Sequence, residues 1–242
     1  MKIGITERGD AALDLSWKSW VGSGKPAILI TKNPAKLAKH LNKDMNIIVH
    51  CTITGHGGSI LEPNVPKTKD AIEGMIEVFD KLHENNFRFE AAKCIVLRID
   101  PIIPTLKGFL IAREVLRLAE YGLGDRWSFR TRISFMDNYS HIQKRFQKVG
   151  IKTLPYEFHA DLTDRLAIYK EFKHSSSDIE ICGEPGMPCI GCISSRDCAI
   201  LKVIPTDGKS QQRNTCACLA QKHELLTNKK QCGHGCLYCY WK

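Results

Sequence analysis

The chain has 242 residues, 43% of them hydrophobic, and a formal net charge of +9. That length suits one large α/β domain, or one domain with a small appendage. No twenty-residue apolar run is present, so a transmembrane helix is not expected. Met1-Lys2-Ile3-Gly4-Ile5 lacks the long apolar segment of a signal peptide. The basic residues are scattered, so the charge permits contact with a polyanion without demonstrating one.

Strand and helix patterns alternate from the N-terminus. Lys2 to Thr6 reads as a strand, and Arg8-Gly9-Asp10 as the polar turn after it. Arg8 and Asp10 would form a surface pair, or stand at the carboxyl end of a barrel strand, where active sites collect. Leu15, Trp17, Trp20 and Val21 suggest a short helix packed on the core. Ala27 to Thr31 is an apolar strand ending in Lys32-Asn33-Pro34, where Asn33 can cap a helix and Pro34 suits its first position. Asn46 to Thr54 is the next strand, and its Ile47-Ile48-Val49 run suits a parallel strand buried on both faces. Cys51 belongs in that core.

Thr54-Gly55-His56-Gly57-Gly58-Ser59 is a glycine loop, made either for a tight turn or for close approach to a ligand. Ile72, Met75, Ile76, Phe79 and Leu82 share one helix face. Lys93 to Ile99 is a strand, and alternation puts Arg98 and Asp100 on the same side. Such a pair would bind a carboxylate or polar substrate, or simply stabilise the fold. Leu110 to Leu118 is a helix. Ser128 to Phe135 is a strand with Arg130, Arg132 and Ser134 on one side. A short basic helix follows, with Ile142, Phe146 and Val149 expected inward. Ala160 to Phe172 is another, with Leu162, Leu166 and Tyr169 on one side. Asp178 to Cys182 is the last clear strand. About six β–α units of this kind predict a parallel sheet with covering helices, curved into a partial barrel.

The cysteines are unevenly placed. Only Cys51 and Cys94 precede residue 180, and the other nine fall within the last sixty-one residues. A secreted disulfide framework would be spread through a small domain, whereas this pattern reads as metal ligation in a reducing, cytoplasmic compartment. Cys232, Cys236 and Cys239 form C-x3-C-x2-C, with Tyr238 directly before the last. Three thiolates so close fit a loop around an inorganic cluster and leave one position of a four-metal cluster open. The competing readings are a zinc knuckle completed by His234 or a distant cysteine, and a set of reduced thiols. Upstream, Cys182, Cys189, Cys192, Cys198, Cys216 and Cys218 include a C-x2-C and a C-x-C. Four of these six are expected to hold a second centre, iron–sulfur or zinc.

Residues 232–240 resemble the cysteine motif of radical S-adenosylmethionine enzymes. The wider chain is similar to a bacterial, archaeal and phage family of uncharacterised activity, whose C-terminal cysteines are compared with that motif. The resemblance runs through Arg8-Gly9-Asp10, Thr31-Lys32-Asn33-Pro34, the loop from Gly55 to Pro63, and Arg98 with Asp100-Pro101. It continues through Cys182, Cys192-Ile193, Arg213 with Cys216-Ala217-Cys218, and the terminal triad. Within the family Asp-Ile-Gly usually follows the C-x-C pair; here the chain reads His223-Glu224-Leu225-Leu226. The likeness to spore photoproduct lyase lies in the terminal motif alone.

The resemblance implies a partial (β/α)6 barrel of the radical enzyme type over residues 1–181, with residues 182–242 closing its mouth. It implies a [4Fe-4S] cluster on Cys232, Cys236 and Cys239 and S-adenosylmethionine on the open iron. An electron donor such as flavodoxin or ferredoxin would reduce the cluster and release a 5′-deoxyadenosyl radical. The substrate class suggested by analogy is a nucleobase, nucleotide or nucleic acid. Lys32, Asn33, His56, Gly57, Gly58 and Tyr238 are the expected cofactor contacts. Arg98, Asp100 and Arg132 are the expected catalytic groups in the barrel mouth. For the second centre the family pattern selects Cys182, Cys192, Cys216 and Cys218, while Cys189 and Cys198 are credible by spacing. The competing functions are a zinc-containing nucleic-acid-binding protein and an iron–sulfur electron-transfer or sensor protein.

Overall fold

The computed structural model describes residues 1–83, 92–124, 129–152, 154–175, 178–206, 208, 215–226 and 232–240. Seven strands form one sheet: β1 Ile3–Ile5, β2 Ala27–Thr31, β3 Ile47–Thr52, β4 Ile95–Ile102, β5 Arg130–Phe135, β6 Ile179–Ile181 and β7 Lys222–Glu224. Their order is β6-β5-β4-β3-β2-β1-β7, and every pairing is parallel. The α/β class and the parallel sheet agree with the sequence. The sheet is open, with β6 and β7 as its edges, so the described residues do not form a closed barrel. The seventh strand was not legible. Lys222-His223-Glu224 is polar throughout and carries no strand pattern, yet it extends the sheet beyond β1.

Side chains alternate across a strand, so each strand serves two faces. Leu29, Val49, Cys51, Leu97, Ile133 and Ile181 pack in one core with the helices. These are α1 Lys18–Gly22, α2 Pro34–Ala38, α3 Thr68–His83, α4 Leu106–Leu123 and, later in the chain, α6 Leu162–Ser175, whereas α5 Ser140–Lys148 packs Ile142 and Phe146 in a separate cluster with Cys236 and Tyr238. Asn33 caps α2 by accepting from the Lys36 amide at 3.1 Å, with Pro34 opening the helix as its sequence requires. The buried stripe of α3 runs Ile72, Met75, Val78, Phe79 and Leu82, a helical spacing.

The opposite face of the sheet is covered differently. Ile3, Ile5, Ile28, Ile48 and Val96 pack against Cys192, Ile193, Cys198, Leu201, Val203 and Cys218. The cysteine-rich segment therefore fills the second face, through loops and the short helix α7 Ser195–Ile200. A reciprocal capping box starts α7: Ser194 accepts from the Asp197 amide and Asp197 accepts from the Ser194 amide at 2.9 Å. With α7 on one face and β7 at an edge, residues after 181 are built into the sheet. Arginines on this inner face require partners. Arg130 pairs with Asp197 at 2.8 Å, and Arg132 with Glu180 at 2.8 Å.

Two helix faces differ from the expectation. Val149 lies just past α5 and is 39% exposed, and Leu162 at the start of α6 is 40% exposed. Leu166 and Tyr169 do pack half-buried against the core, beside Phe172 and Arg165, whose guanidinium donates to Glu184, at 3.0 Å, and to two backbone carbonyls. Ser128, Ser176 and Ser177, which the sequence drew into a strand and a helix end, lie outside the described residues. No helix among the described residues is long and apolar enough to cross a membrane.

The packing of α6 is testable. Phe172→Ala should lower unfolding free energy by about 3–5 kcal/mol in denaturant titration, because it opens a cavity against Phe109. Leu162→Ala should stay within about 0.5 kcal/mol, as for an exposed site.

Candidate functional site

The strands all point their carboxyl ends the same way, and a cavity opens there. Its wall takes Arg8 and Asp10 after β1, Lys32 after β2, Thr52 from β3, Arg98 and Asp100 from β4, Ser134 from β5 and Asp137 just after it, and Cys182 after β6. The terminal loop closes it, contributing Cys232, His234, Cys236, Tyr238 and Cys239. Ligand sites in open parallel sheets gather at this end.

The terminal loop is strapped to three separate elements. Asn64 donates from its side chain to the Gly233 carbonyl at 3.0 Å, and the Leu237 amide donates to Leu61 at 3.0 Å. Arg145 of α5 donates to the Cys236 and Cys239 carbonyls. His234 is held from both sides, with Nε2 at 2.6 Å from Asp10 and Nδ1 at 3.2 Å from the Asn64 carbonyl. Asp10 is buried and also accepts from Thr31 Oγ1 at 2.7 Å and the Lys32 amide at 2.6 Å. The alternative of an Arg8–Asp10 surface pair therefore fails for Asp10. Burial pushes its carboxyl up, but His234 and the donors from Lys32 and Thr31 outweigh that and hold it below its ordinary value.

Lys32 and Tyr238 meet over Glu62. The Lys32 ammonium lies 2.6 Å from Glu62 and 3.0 Å from the Tyr238 hydroxyl, and that hydroxyl also donates to Glu62. Thr54 fills the other Glu62 oxygen at 2.6 Å. Burial works against the ammonium, but Glu62 and Tyr238 overcome it, so Lys32 stays charged well above its ordinary value. Burial pushes the Cys236 thiol up to about 12, with Lys32 pulling the other way. A bound cation is what would turn such a thiol into a thiolate.

Arg98 and Asp100 share one side as alternation requires, with Nε to Oδ2 at 2.8 Å, and Ser134 donates to the second Asp100 oxygen. Arg132 does not line the cavity. It is fully buried and spends its guanidinium on Glu180 and Asp197, so the structure places it in a fold-stabilising ion network below the site.

The expected cofactor contacts divide in the same way. Lys32 and Tyr238 line the cavity. Asn33 caps α2, and His56, Gly57 and Gly58 do not reach the cavity wall. The glycine at 57 is required by packing: a Cβ there would stand 1.8 Å from the Pro66 carbonyl oxygen. Sequence reasoning missed Arg145 and Glu62, because one basic residue on a basic helix and one acid in an irregular stretch carry no local signal.

The upstream cysteines also divide. Cys182 and Cys192 stand with sulfurs 3.6 Å apart, Cys218 accepts from the Cys192 amide at 3.1 Å, and Cys216 adjoins Cys218. Cys182, Cys192 and Cys216 line the same cavity as the terminal triad. Cys189 is turned to the backbone of Glu184 at 3.0 Å, and Cys198 is buried against Gln221 at 3.2 Å. All eleven cysteines are free thiols. Among the described residues, no three His, Cys, Asp or Glu side chains form a ready-made set of metal ligands. Arg213 lies outside the described residues.

Fold and cavity together define a parallel α/β protein with a cysteine-lined site at its strand ends. Residues 25–241 match the family described as Domain of unknown function (DUF1848), and the chain belongs to that family. No curated protein and no solved structure matches the chain significantly.

Two outcomes follow for these charges. Arg132→Ala should cost about 3–5 kcal/mol of stability in denaturant titration, because it breaks a buried ion network and leaves Arg130 as the one buried cation shared by Glu180 and Asp197. Asp10, Glu62, Asp100 and Asp197 all sit below their ordinary carboxyl values. Their contribution is present above the ordinary carboxylate range and is lost as pH falls through the lowered folded values. Denaturant midpoints should therefore drop steeply below about pH 4, and Asp10→Asn should make that drop shallower.

Proposed function

We propose that the protein is a radical S-adenosylmethionine enzyme whose open sheet is a partial barrel and whose substrate enters the cavity at the strand ends. The carrying observation is that Cys232, Cys236 and Cys239, from one strapped loop, line the cavity that the carboxyl ends of β1 to β6 also line. The donor set fits a cluster. It offers three thiol sulfurs, and the nearest nitrogen ligand is taken: both ring nitrogens of His234 face oxygen acceptors. That arrangement argues against a zinc knuckle completed by His234 and favours a centre with one exchangeable position.

Cys232, Cys236 and Cys239 would hold a [4Fe-4S] cluster. When bound, the cluster and S-adenosylmethionine supply a 5′-deoxyadenosyl radical that takes a hydrogen atom from the substrate. The chain's own groups prepare the place. The Lys32 ammonium, fixed by Glu62, offsets negative charge beside Cys236. Tyr238 is held by the same pair, its hydroxyl by Lys32 and Glu62 and its ring face by the Lys32 ammonium at 5.4 Å, which keeps the loop in one orientation. Arg145 ties down the Cys236 and Cys239 carbonyls. Arg98, Asp100, Ser134 and Asp137 give the cavity its polar side and orient a polar substrate. Tyr139 and Tyr240, stacked at 6.2 Å, add aromatic surface suited to a planar ring such as a nucleobase.

Anaerobic protein given S-adenosylmethionine and a strong reductant should slowly form 5′-deoxyadenosine, read by chromatography. Cys236→Ala should abolish that product. Cys51→Ala should keep it, because Cys51 is buried in the helix-side core of β3 and its loss is a packing cost. If protein fully loaded with iron binds S-adenosylmethionine and yields no 5′-deoxyadenosine with any reductant or nucleotide, the radical reading is wrong. An electron-transfer or sensor role would then replace it.

A further inference from the structure

The second cysteine group has no part in the reading above. The sulfurs of Cys182 and Cys192 lie 3.6 Å apart. Two thiolates on one tetrahedral ion, each bonded at about 2.3 Å, would stand roughly 3.8 Å apart. In a four-iron cluster each iron takes a single thiolate, so thiolates of one cluster are separated by more than a metal–metal edge. The observed spacing therefore suits a shared single ion and is too short for neighbouring corners of a cubane.

We propose that Cys182, Cys192, Cys216 and Cys218 hold one tetrahedral thiolate-preferring divalent ion, zinc or ferrous iron, in the wall of the cavity that the terminal triad also lines. Three independent features converge on that set. The backbones that carry it approach closely: a Cβ on Gly191 would lie 2.4 Å from the Cys218 α-carbon, so only glycine permits Cys192 and Cys218 to meet. The other two upstream cysteines are committed elsewhere, Cys189 to Glu184 and Cys198 to Gln221. The charge balance is also suitable. Four thiolates around a divalent ion carry two net negative charges, and cationic side chains already act on these sulfurs, Arg98 and Arg132 on Cys182 and Lys222 on Cys218. Ion binding draws Cys216 and Cys218 in to complete the set, releases the four thiol protons to solvent and moves no electrons. Cys182, Cys192 and Cys216 line the cavity while Cys218 is buried behind them, so the ion is part of the chamber wall.

The test uses the full chain with Cys232, Cys236 and Cys239 all replaced by alanine, so that only the upstream group remains. Metal analysis should find about one zinc or iron per chain and no inorganic sulfide. Cobalt(II) exchanged into the same protein should give the intense visible absorption of a tetrahedral thiolate site. Adding Cys192→Ala should cut bound metal at least tenfold. Gly191→Ala, which removes no ligand, should also lower it, while Cys189→Ala and Cys198→Ala should leave it unchanged. If a ligand variant fails to fold, the cobalt spectrum of the triple variant decides alone. Iron with stoichiometric sulfide, metal loss on Cys189→Ala or Cys198→Ala, a non-tetrahedral cobalt spectrum, or no metal uptake would each overturn the assignment. None of these readouts depends on S-adenosylmethionine chemistry, so the two proposals fail separately.

Discussion

The contact between Asp10 and His234 joins the two ends of the chain at the site. Asp10 receives hydrogen bonds from Ala12 at 2.8 Å, Thr31 at 2.7 Å and Lys32 at 2.6 Å, and His234 is 2.6 Å away. A buried carboxylate is costly unless its oxygens are fully occupied. Here the occupation comes from the loop after β1, the end of β2 and the loop that carries the terminal cysteines. The position of Cys232 and Cys236 on either side of His234 thus depends on a carboxylate that the first strand delivers. Lys32 extends the same linkage, since its amide serves Asp10 and its ammonium serves Glu62 and Tyr238.

Around that joint the sheet sorts its surroundings by face. The longer helices cover one side, as expected of repeated β–α units. The other side receives the cysteine-rich loops and α7, together with buried arginines and their acids. Arg98 and Arg132, in register across β4 and β5, share that second face and differ in their acidic partners. Arg98 lies beside Asp100 at the cavity, while Arg132 is capped by Glu180 and Asp197.

The strands β1 to β6 were legible because apolar runs of β-branched residues punctuated by turn chemistry have few other solutions. The Asn33-Pro34 start of α2 was legible for a local reason, a side-chain cap and a missing amide. What escaped was whatever depends on distant partners. β7 is polar and becomes a strand only because β1 offers an edge. The burial of Arg165 depends on Glu184, and that of Arg132 on Asp197, neither of which leaves a periodic signal near the arginine. The glycine loop is the inverse case. Its composition pointed to a ligand, yet Gly57 is explained by the nearby Pro66 carbonyl. Among the cysteines, spacing left six candidates open and the family resemblance picked Cys182, Cys192, Cys216 and Cys218; packing groups those four and turns Cys189 and Cys198 to other partners.

The pairing of β7 with β1 has a consequence for how the molecule is made. During synthesis the first four strands leave the ribosome well before Cys192, Ile193, Cys198, Leu201, Val203 and Cys218, which cover their inner face. Until then Ile3, Ile28, Ile48 and Val96 lack the partners that bury them in the finished protein. Strand pairing across more than two hundred residues is slow to form because the closure entropy falls due before the contacts that offset it. The nascent chain therefore carries an unfinished apolar trough until the cysteine-rich segment follows, and the loop of Cys232, Cys236 and Cys239 reaches the rim only after that cover is in place. A chain interrupted before β7 lacks that edge strand and the loop that closes the cavity.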